Sequence, residues 1–321
     1  EDDASDPGRA ATLLERLITS DDVDLVLGGY PGSSVAAQMP IAEQNQMVYV
    51  SMGGHLQSFE QGFTYSFGAP PLMGQWWYRG FFDYLATLPE DEQPTTAAMI
   101  TVNNPVGAAV REGTIADLER VGIELVMDEL YDLPLAAAEP LITQARASGA
   151  ELFVANSFFP DGVLVIRAVN ALGYQPKAIL EGVGTLIPGW EQELGAEGNF
   201  VISGTAIHPG LPFADTEVIN QLAEQRYGSP QAPIYFMFGA TWAQVLAKAV
   251  EGVGSLDNTA VRDWLHGNEV ETIGGTLTFD ERGLPDPYSF AVQVLDGAPE
   301  LVWPQDVQTQ GIVYPIPWDQ A

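Results

Sequence analysis

The sequence predicts an α/β protein of two lobes built on parallel sheets, and three observations predict it. The chain has 321 residues, more than one hydrophobic core usually serves, so two cores of roughly 150 residues each are expected. Short β-rich runs alternate with stretches of helical periodicity, joined by short connections, as parallel sheets covered on both faces require. Hydrophobic residues make up 46% and aromatics 10%, in apolar stretches that recur along the whole length, which is enough to fill both cores.

Taken in order, Ala10, Leu13, Leu14, Leu17 and Ile18 follow helical spacing, and 23–27 is a buried strand ending at Gly28-Gly29. The alternation then predicts helices near 34–45, 73–88, 107–121, 136–148 and 161–173. Strands are predicted at 47–51, 97–102, 123–127, 151–154, 178–180 and 200–207. His208-Pro209-Gly210-Leu211-Pro212 breaks the rhythm, and helices follow near 214–227, 234–252 and 259–266. The remainder is β-rich: 272–279 alternates, 280–283 is a turn, and 290–295 and 301–303 flank a hairpin turn at Asp296-Gly297.

Charge narrows the function. Forty-three acidic residues against twelve basic ones give a net charge of -31, and only Lys177 and Lys248 are lysines. No basic patch can be assembled, so nucleic acid is excluded as a partner. The acids are scattered, which reads as a solvated coat, and a self-repelling coat fits a saline habitat where salt screens it. Cys is absent, which removes disulfides, thiol catalysis and Cys-based zinc sites. No apolar run approaches the 18 or so residues needed to span a bilayer. The start, Glu1-Asp2-Asp3-Ala4, lacks the regions of a signal peptide, so the chain reads as processed or truncated.

Catalytic signals are missing too. His55, His208 and His266 lie far apart without metal-ligand spacing, and each reads first as a loop or surface residue. No phosphate loop, dinucleotide fingerprint or serine elbow occurs, so neither an enzyme nor a cofactor is expected.

What remains is a set of loops after predicted strands, where open α/β sheets place ligands. Gly28-Gly29-Tyr30-Pro31-Gly32-Ser33-Ser34 brings two hydroxyls to a helix start, suited to a carboxylate; helix capping by either serine is the simpler alternative. Met52-Gly53-Gly54-His55 allows close backbone approach. Asn156-Ser157-Phe158-Phe159-Pro160-Asp161 adds polar and aromatic groups. Glu181, in Glu181-Gly182-Val183-Gly184, could pair an ammonium, although taken alone it reads as a surface acid. Tyr235-Phe236-Met237-Phe238 opens a late helix, where aromatics more often serve the core.

These segments, in this order, resemble the type I periplasmic substrate-binding proteins of ABC importers, in the branch that serves branched-chain amino acids. The resemblance rests on 22–51 with its Gly-Gly, Ser-Ser and Pro-Ile-Ala-Glu, on Asn104-Pro105-Val106-Gly107, on 153–161, on Leu172-Gly173-Tyr174-Gln175-Pro176-Lys177, on Glu181-Gly182-Val183-Gly184, and on 275–283 before Asp296-Gly297. It implies two Rossmann-like lobes joined by a three-crossover hinge, with 1–72 and 206–284 in one and 73–205 and 285–321 in the other. They would close on a small amino-acid-like solute in the cleft and deliver it to membrane permease subunits. An exported monomer, periplasmic or extracellular, is expected. A sensing role, or a non-amino-acid carboxylate or amide ligand, is the alternative. The resemblance assigns Ser33 and Ser34 to the solute carboxylate, with Gly53 and His55 beside them. It assigns Glu181 to the ammonium, and Val106, Phe158 and Tyr235 to the cleft wall. Two departures stand out. The family's opening strand, helix and strand are missing before Glu1, and Val106 and His55 stand where relatives often carry Tyr and a small hydroxyl residue.

Overall fold

The computed structural model of the protein describes residues 1–53, 56–70, 74–228 and 233–319. The chain divides into two compact units, unit 1 comprising Glu1–Met73 and Ala206–Pro287 and unit 2 comprising Gly74–Thr205 and Tyr288–Ala321, so the backbone passes between them three times.

Unit 1 begins with α1 (Pro7–Thr19), β1 (Val26–Leu27), α2 (Gly32–Gln44), β2 (Tyr49–Ser51), α3 (Leu56–Phe59) and β3 (Ser66–Gly68). Unit 2 follows with α4 (Arg79–Leu85), β4 (Thr96–Val102), α5 (Pro105–Val121), β5 (Glu124–Tyr131), α6 (Glu139–Ser148) and β6 (Leu152–Asn156). It continues through α7 (Phe159–Leu172), β7 (Ala178–Glu181), α8 (Gly189–Leu194) and β8 (Ile202–Thr205). The chain returns to unit 1 for α9 (Thr216–Tyr227), α10 (Ile234–Val253), α11 (Asn258–Gly267), β9 (Val270–Thr272) and β10 (Gly275–Leu277), and ends in unit 2 with β11 (Phe290–Leu295) and β12 (Ala298–Trp303).

In unit 1, β1, β2 and β3 form a parallel sheet in sequence order, and β9 pairs antiparallel with β10. α1 starts where the Asp6 side chain accepts from the Arg9 amide and Pro7 opens the first turn, the chemistry of a capped helix start. α11 is tied to this sheet by Asn258, whose Oδ1 accepts from Val48 N at 2.8 Å while its amide donates to Asp24 O at 3.0 Å.

In unit 2, seven strands run in the order β12-β11-β8-β7-β6-β4-β5, with β8 through β5 parallel and β11 and β12 antiparallel. β4, β6 and β7 are buried almost throughout, as strands covered on both faces must be. Ile100, Phe153, Ile166, Val169, Ile179 and Trp190 pack in one continuous core. After β4 the chain moves outward to β5, then crosses back to lay β6 on the other side of β4. The reversal between β4 and β6 makes a crevice at the carboxyl ends of these strands.

Three expectations are corrected. Of the helix predicted near 73–88, whose residue 73 lies outside the described residues, the structure forms one 3-10 turn at Gly74–Trp76 and α4 at Arg79–Leu85. Between them Trp77 is held in place, its carbonyl accepting from Ser289 Oγ at 2.8 Å and its indole donating to Ser203 Oγ of β8 at 3.2 Å. The alternating stretch 272–279 is the end of a hairpin that turns at Ile273-Gly274. β3 was not anticipated, since three residues give too little periodicity to register. The turn at Asp296-Gly297 is present, with φ of 50° and 81°, between the paired β11 and β12.

Candidate functional site

The carboxyl ends of β4, β6 and β7 surround a cavity of about 320 Å³, part of it open to solvent. One wall is Val102, at the end of β4, with Val106, Gly107 and Val110 from the first turns of α5. α5 starts there because the Asn104 side chain accepts from Gly107 N at 2.8 Å and Pro105 occupies the first turn. Trp77, Phe158 and Val183 form further walls, and Asn156, Ser157 and Gly182 complete the lining. No charged side chain is among the lining residues.

The polar groups of the lining are held from behind. Ser157 Oγ donates to Glu181 Oε1 at 2.6 Å, and Glu181 Oε2 accepts from Thr185 N at 3.2 Å. Glu181 is 0% exposed, so the reading of this residue as a surface acid is overturned. Register explains why it lies there: Glu181 is paired with Ala155 across β7 and β6, at the last position before both strands yield to loops. Burial raises the Glu181 carboxyl to about 8, opposed by the Ser157 hydroxyl and then by the backbone amides of Thr185, Gly184 and Gly182. A Cβ at position 162 would stand 2.5 Å from Glu181 Oε1, and one at 182 would stand 2.3 Å from Ser157 O. Only glycine lets α7 and the loop after β7 close over the carboxylate.

Trp77 is fixed by a relay: its Nε1 donates to Ser203 Oγ, and Ser203 Oγ donates to Gly182 O at 2.6 Å. The relay ties one wall of the cavity to its backbone floor.

Unit 1 has its own strand-end loops. Gly28 N donates to Val50 O at 2.7 Å, and Gly29 N is held by Gln38 Oε1 and Tyr49 OH at 3.1 and 3.2 Å. α2 is capped by neither serine: its N-cap position is Pro31, with no side-chain hydrogen bond. Ser33 is exposed in the first turn, whereas Ser34 is buried and its hydroxyl donates to Asp3 Oδ2 at 3.2 Å. Gly53 is buried beside Gly68, and His55 lies outside the described residues. Tyr235, 44% exposed at the start of α10, meets Tyr30 edge-on at 4.9 Å between ring centroids, and Tyr30 stacks on Phe238 at 5.7 Å. His208 is a loop residue as expected but is buried, its Nδ1 accepting from Gly210 N at 3.0 Å.

Of the residues singled out in the sequence, unit 2 therefore brings Val106 and Phe158 to one cavity and seats Glu181 directly behind it. Ser33, Ser34, Gly53 and Tyr235 belong to unit 1. Trp77, Val110, Asn156 and Ser157 were not assigned a role from the sequence. Asn156 and Ser157 carried a signal, as polar residues closing an apolar strand. Trp77 carried none that separates it from the neighbouring Trp76 and Tyr78.

Among the described residues no cluster of His, Cys, Asp or Glu could hold a metal ion, and no helix is long and apolar enough to cross a membrane.

The family model for periplasmic binding proteins matches residues 1–298. An amino acid binding protein of Pseudomonas aeruginosa is 22% identical over 297 residues, covering 88% of this chain and 74% of its own. Among solved structures, a putative branched-chain amino acid ABC transporter protein from Silicibacter pomeroyi superposes with a TM-score of 0.83 at 16% identity, over 97% of this chain and 86% of that one. A leucine binding protein from Thermotoga maritima superposes with a TM-score of 0.78 at 18% identity, over 94% and 85%. These relatives are named as binding and transport proteins, not as enzymes.

Proposed function

The chain belongs to the periplasmic binding protein family, and we propose that it is the exported solute-binding component of an ABC importer, which takes a small amino-acid-like solute and passes it to membrane permease subunits. Leucine, isoleucine and valine are the first candidates, the class named for several relatives. The observation that carries this reading is the cavity walled by Val102, Val106, Val110, Trp77 and Phe158 with the buried Ser157–Glu181 pair behind it. Apolar walls accept a side chain, and a buried carboxylate makes the hydroxyl in front of it a strong acceptor for an amine.

In this reading Val106 and Phe158 contact the solute side chain, and Glu181 acts on the amine through Ser157. Ser33, exposed at the N-terminus of α2, is assigned to the carboxylate, which the helix end favours. Ser34 is assigned to the same carboxylate, with Gly53 and His55 beside it, and Tyr235 to the cleft wall.

Calorimetric titration with leucine, isoleucine and valine tests the proposal. Binding is expected in the wild type and is expected to weaken at least tenfold in Glu181→Gln, since an ammonium brought to Ser157 favours the charged carboxylate behind it and a hydrogen bond to a charged group contributes about 1.5–3 kcal/mol. Unchanged affinity in that variant removes Glu181 from the site, and absence of binding by the folded wild type to any small amino acid or carboxylate removes the proposal.

A further inference from the structure

Asn156 has one donor group in use and one acceptor to spare. Its Nδ2 donates to Thr101 Oγ1 at 2.9 Å and to the Met99 sulfur at 3.4 Å, both on the adjacent strand β4. The register dictates these contacts. Asn156 is the Cα partner of Thr101, and Met99, two residues earlier, shares the same face of the sheet. A thioether sulfur has no hydrogen to give, so the amide nitrogen belongs on that side and the oxygen is left over. Among the described residues Asn156 Oδ1 has no hydrogen-bond partner, although the residue is only 4% exposed. A buried acceptor left unmade is costly, and native proteins seldom keep one without a use.

The residue that carries this oxygen lines the cavity, and so does Ser157, whose hydroxyl hydrogen is committed to Glu181. Asn156 thus brings one buried, unpaired acceptor to the lining of a cavity walled by valine, tryptophan and phenylalanine, while Ser157 is given to the amine. With the amine at Ser157, a purely aliphatic side chain would fill the space and leave Asn156 Oδ1 dry. A second charged group would be stranded among apolar walls, at a desolvation cost no lining residue offsets. A neutral hydroxyl or amide on an otherwise apolar group satisfies both demands.

We propose that the cavity at the ends of β4, β6 and β7 selects a solute whose apolar part carries one neutral hydrogen-bond donor, a hydroxyl or amide, received by Asn156 Oδ1. The inference rests on the reading of the chain as a binder of small solutes and narrows which solute that is. It shifts preference away from wholly aliphatic side chains toward their donor-bearing counterparts of like shape.

Matched pairs test it by calorimetry on the full chain: threonine with valine, tyrosine with phenylalanine, and 4-hydroxybenzoate with 4-methylbenzoate. In the pair that binds, the hydroxyl-bearing member is expected to bind at least tenfold more tightly. Asn156→Leu is expected to bring that ratio to about one. Because Leu at 156 strips Thr101 of its partner, the double variant Asn156→Leu/Thr101→Val is measured beside it and is expected to show the same loss of discrimination. Val106→Phe, which fills the cavity, is expected to abolish binding of both members. Equal binding within the pairs, discrimination that survives both Asn156 variants, or binding indifferent to Val106→Phe overturns this inference and leaves the solute-binding reading standing. If none of the six solutes binds the folded wild type while leucine or isoleucine does, this inference falls alone; if those fail too, the reading and the inference fall together.

Discussion

Ser157 and Glu181 are joined by a 2.6 Å hydrogen bond in which the serine hydroxyl donates to a carboxylate wholly withdrawn from solvent. Burial raises the Glu181 carboxyl to about 8, well above its ordinary value of 4.5. The folded protein therefore retains a proton between these limits that the unfolded chain gives up. The stabilisation linked to this proton is fully present below pH 4.5 and is lost as pH rises through 8. Urea titrations between pH 5 and 8 should show the wild type losing stability relative to Glu181→Gln, on the order of 1 kcal/mol per pH unit. Parallel pH dependences for the two proteins would show that Glu181 does not hold this proton.

The relay from Trp77 through Ser203 to Gly182 predicts a second effect. Ser203→Ala leaves the buried Trp77 indole N–H without its acceptor and releases the Gly182 carbonyl from its donor. A loss of about 1–3 kcal/mol in urea unfolding is expected. The tryptophan emission should also change, because Trp77 lines the cavity. A variant as stable as the wild type would place the indole elsewhere.

Asp117 holds α5 to the segment around α4. The residue is 1% exposed and pairs with Arg79 at 2.6 Å and Arg120 at 3.1 Å. Burial pulls its carboxyl up, and the two guanidinium groups oppose that. Asp117→Ala should cost about 3 kcal/mol, the lower end for breaking a buried ion pair, because both arginines keep some solvent contact. A change under about 1 kcal/mol would show the cluster to be ornamental.

A net charge of -31 repels itself most at low ionic strength. The Debye length is about 30 Å at 0.01 M salt and about 8 Å at 0.15 M, so added salt should screen the acidic coat and raise the melting temperature. Calorimetric scans across that range check this. A melting temperature that stays flat or falls with sodium chloride would mean that local ion pairs, such as Lys177–Glu151, outweigh the global repulsion.

What the sequence disclosed depended on the length over which a signal could repeat. β4 and α5 were readable because five of the seven residues from Thr96 to Val102 are apolar, and Asn104-Pro105 then marks a helix start. β3, with three residues, carries almost no periodicity of its own and was missed, whereas β1 lies inside the apolar run 23–27 that announced it, although only Val26–Leu27 pair. Position at a strand end pointed to Glu181 and Phe158, but not to the burial of Glu181, which depends on Gly162 and Gly184 folding over it. Trp77 escaped notice because its place is set by Ser203, 126 residues away. The spare oxygen of Asn156 depends likewise on Thr101 and Met99, 55 and 57 residues distant.

Thermal unfolding of the chain with and without leucine, isoleucine, valine, threonine or tyrosine shows whether it binds a small amino-acid-like solute. A solute present at a hundred times its Kd stabilises the folded state by about 2.7 kcal/mol, so at least one amino acid should raise the melting temperature by several degrees. The same shift should be reduced in Glu181→Gln. A cooperative transition that none of these solutes moves would mean that the folded chain does not bind amino acids of this kind.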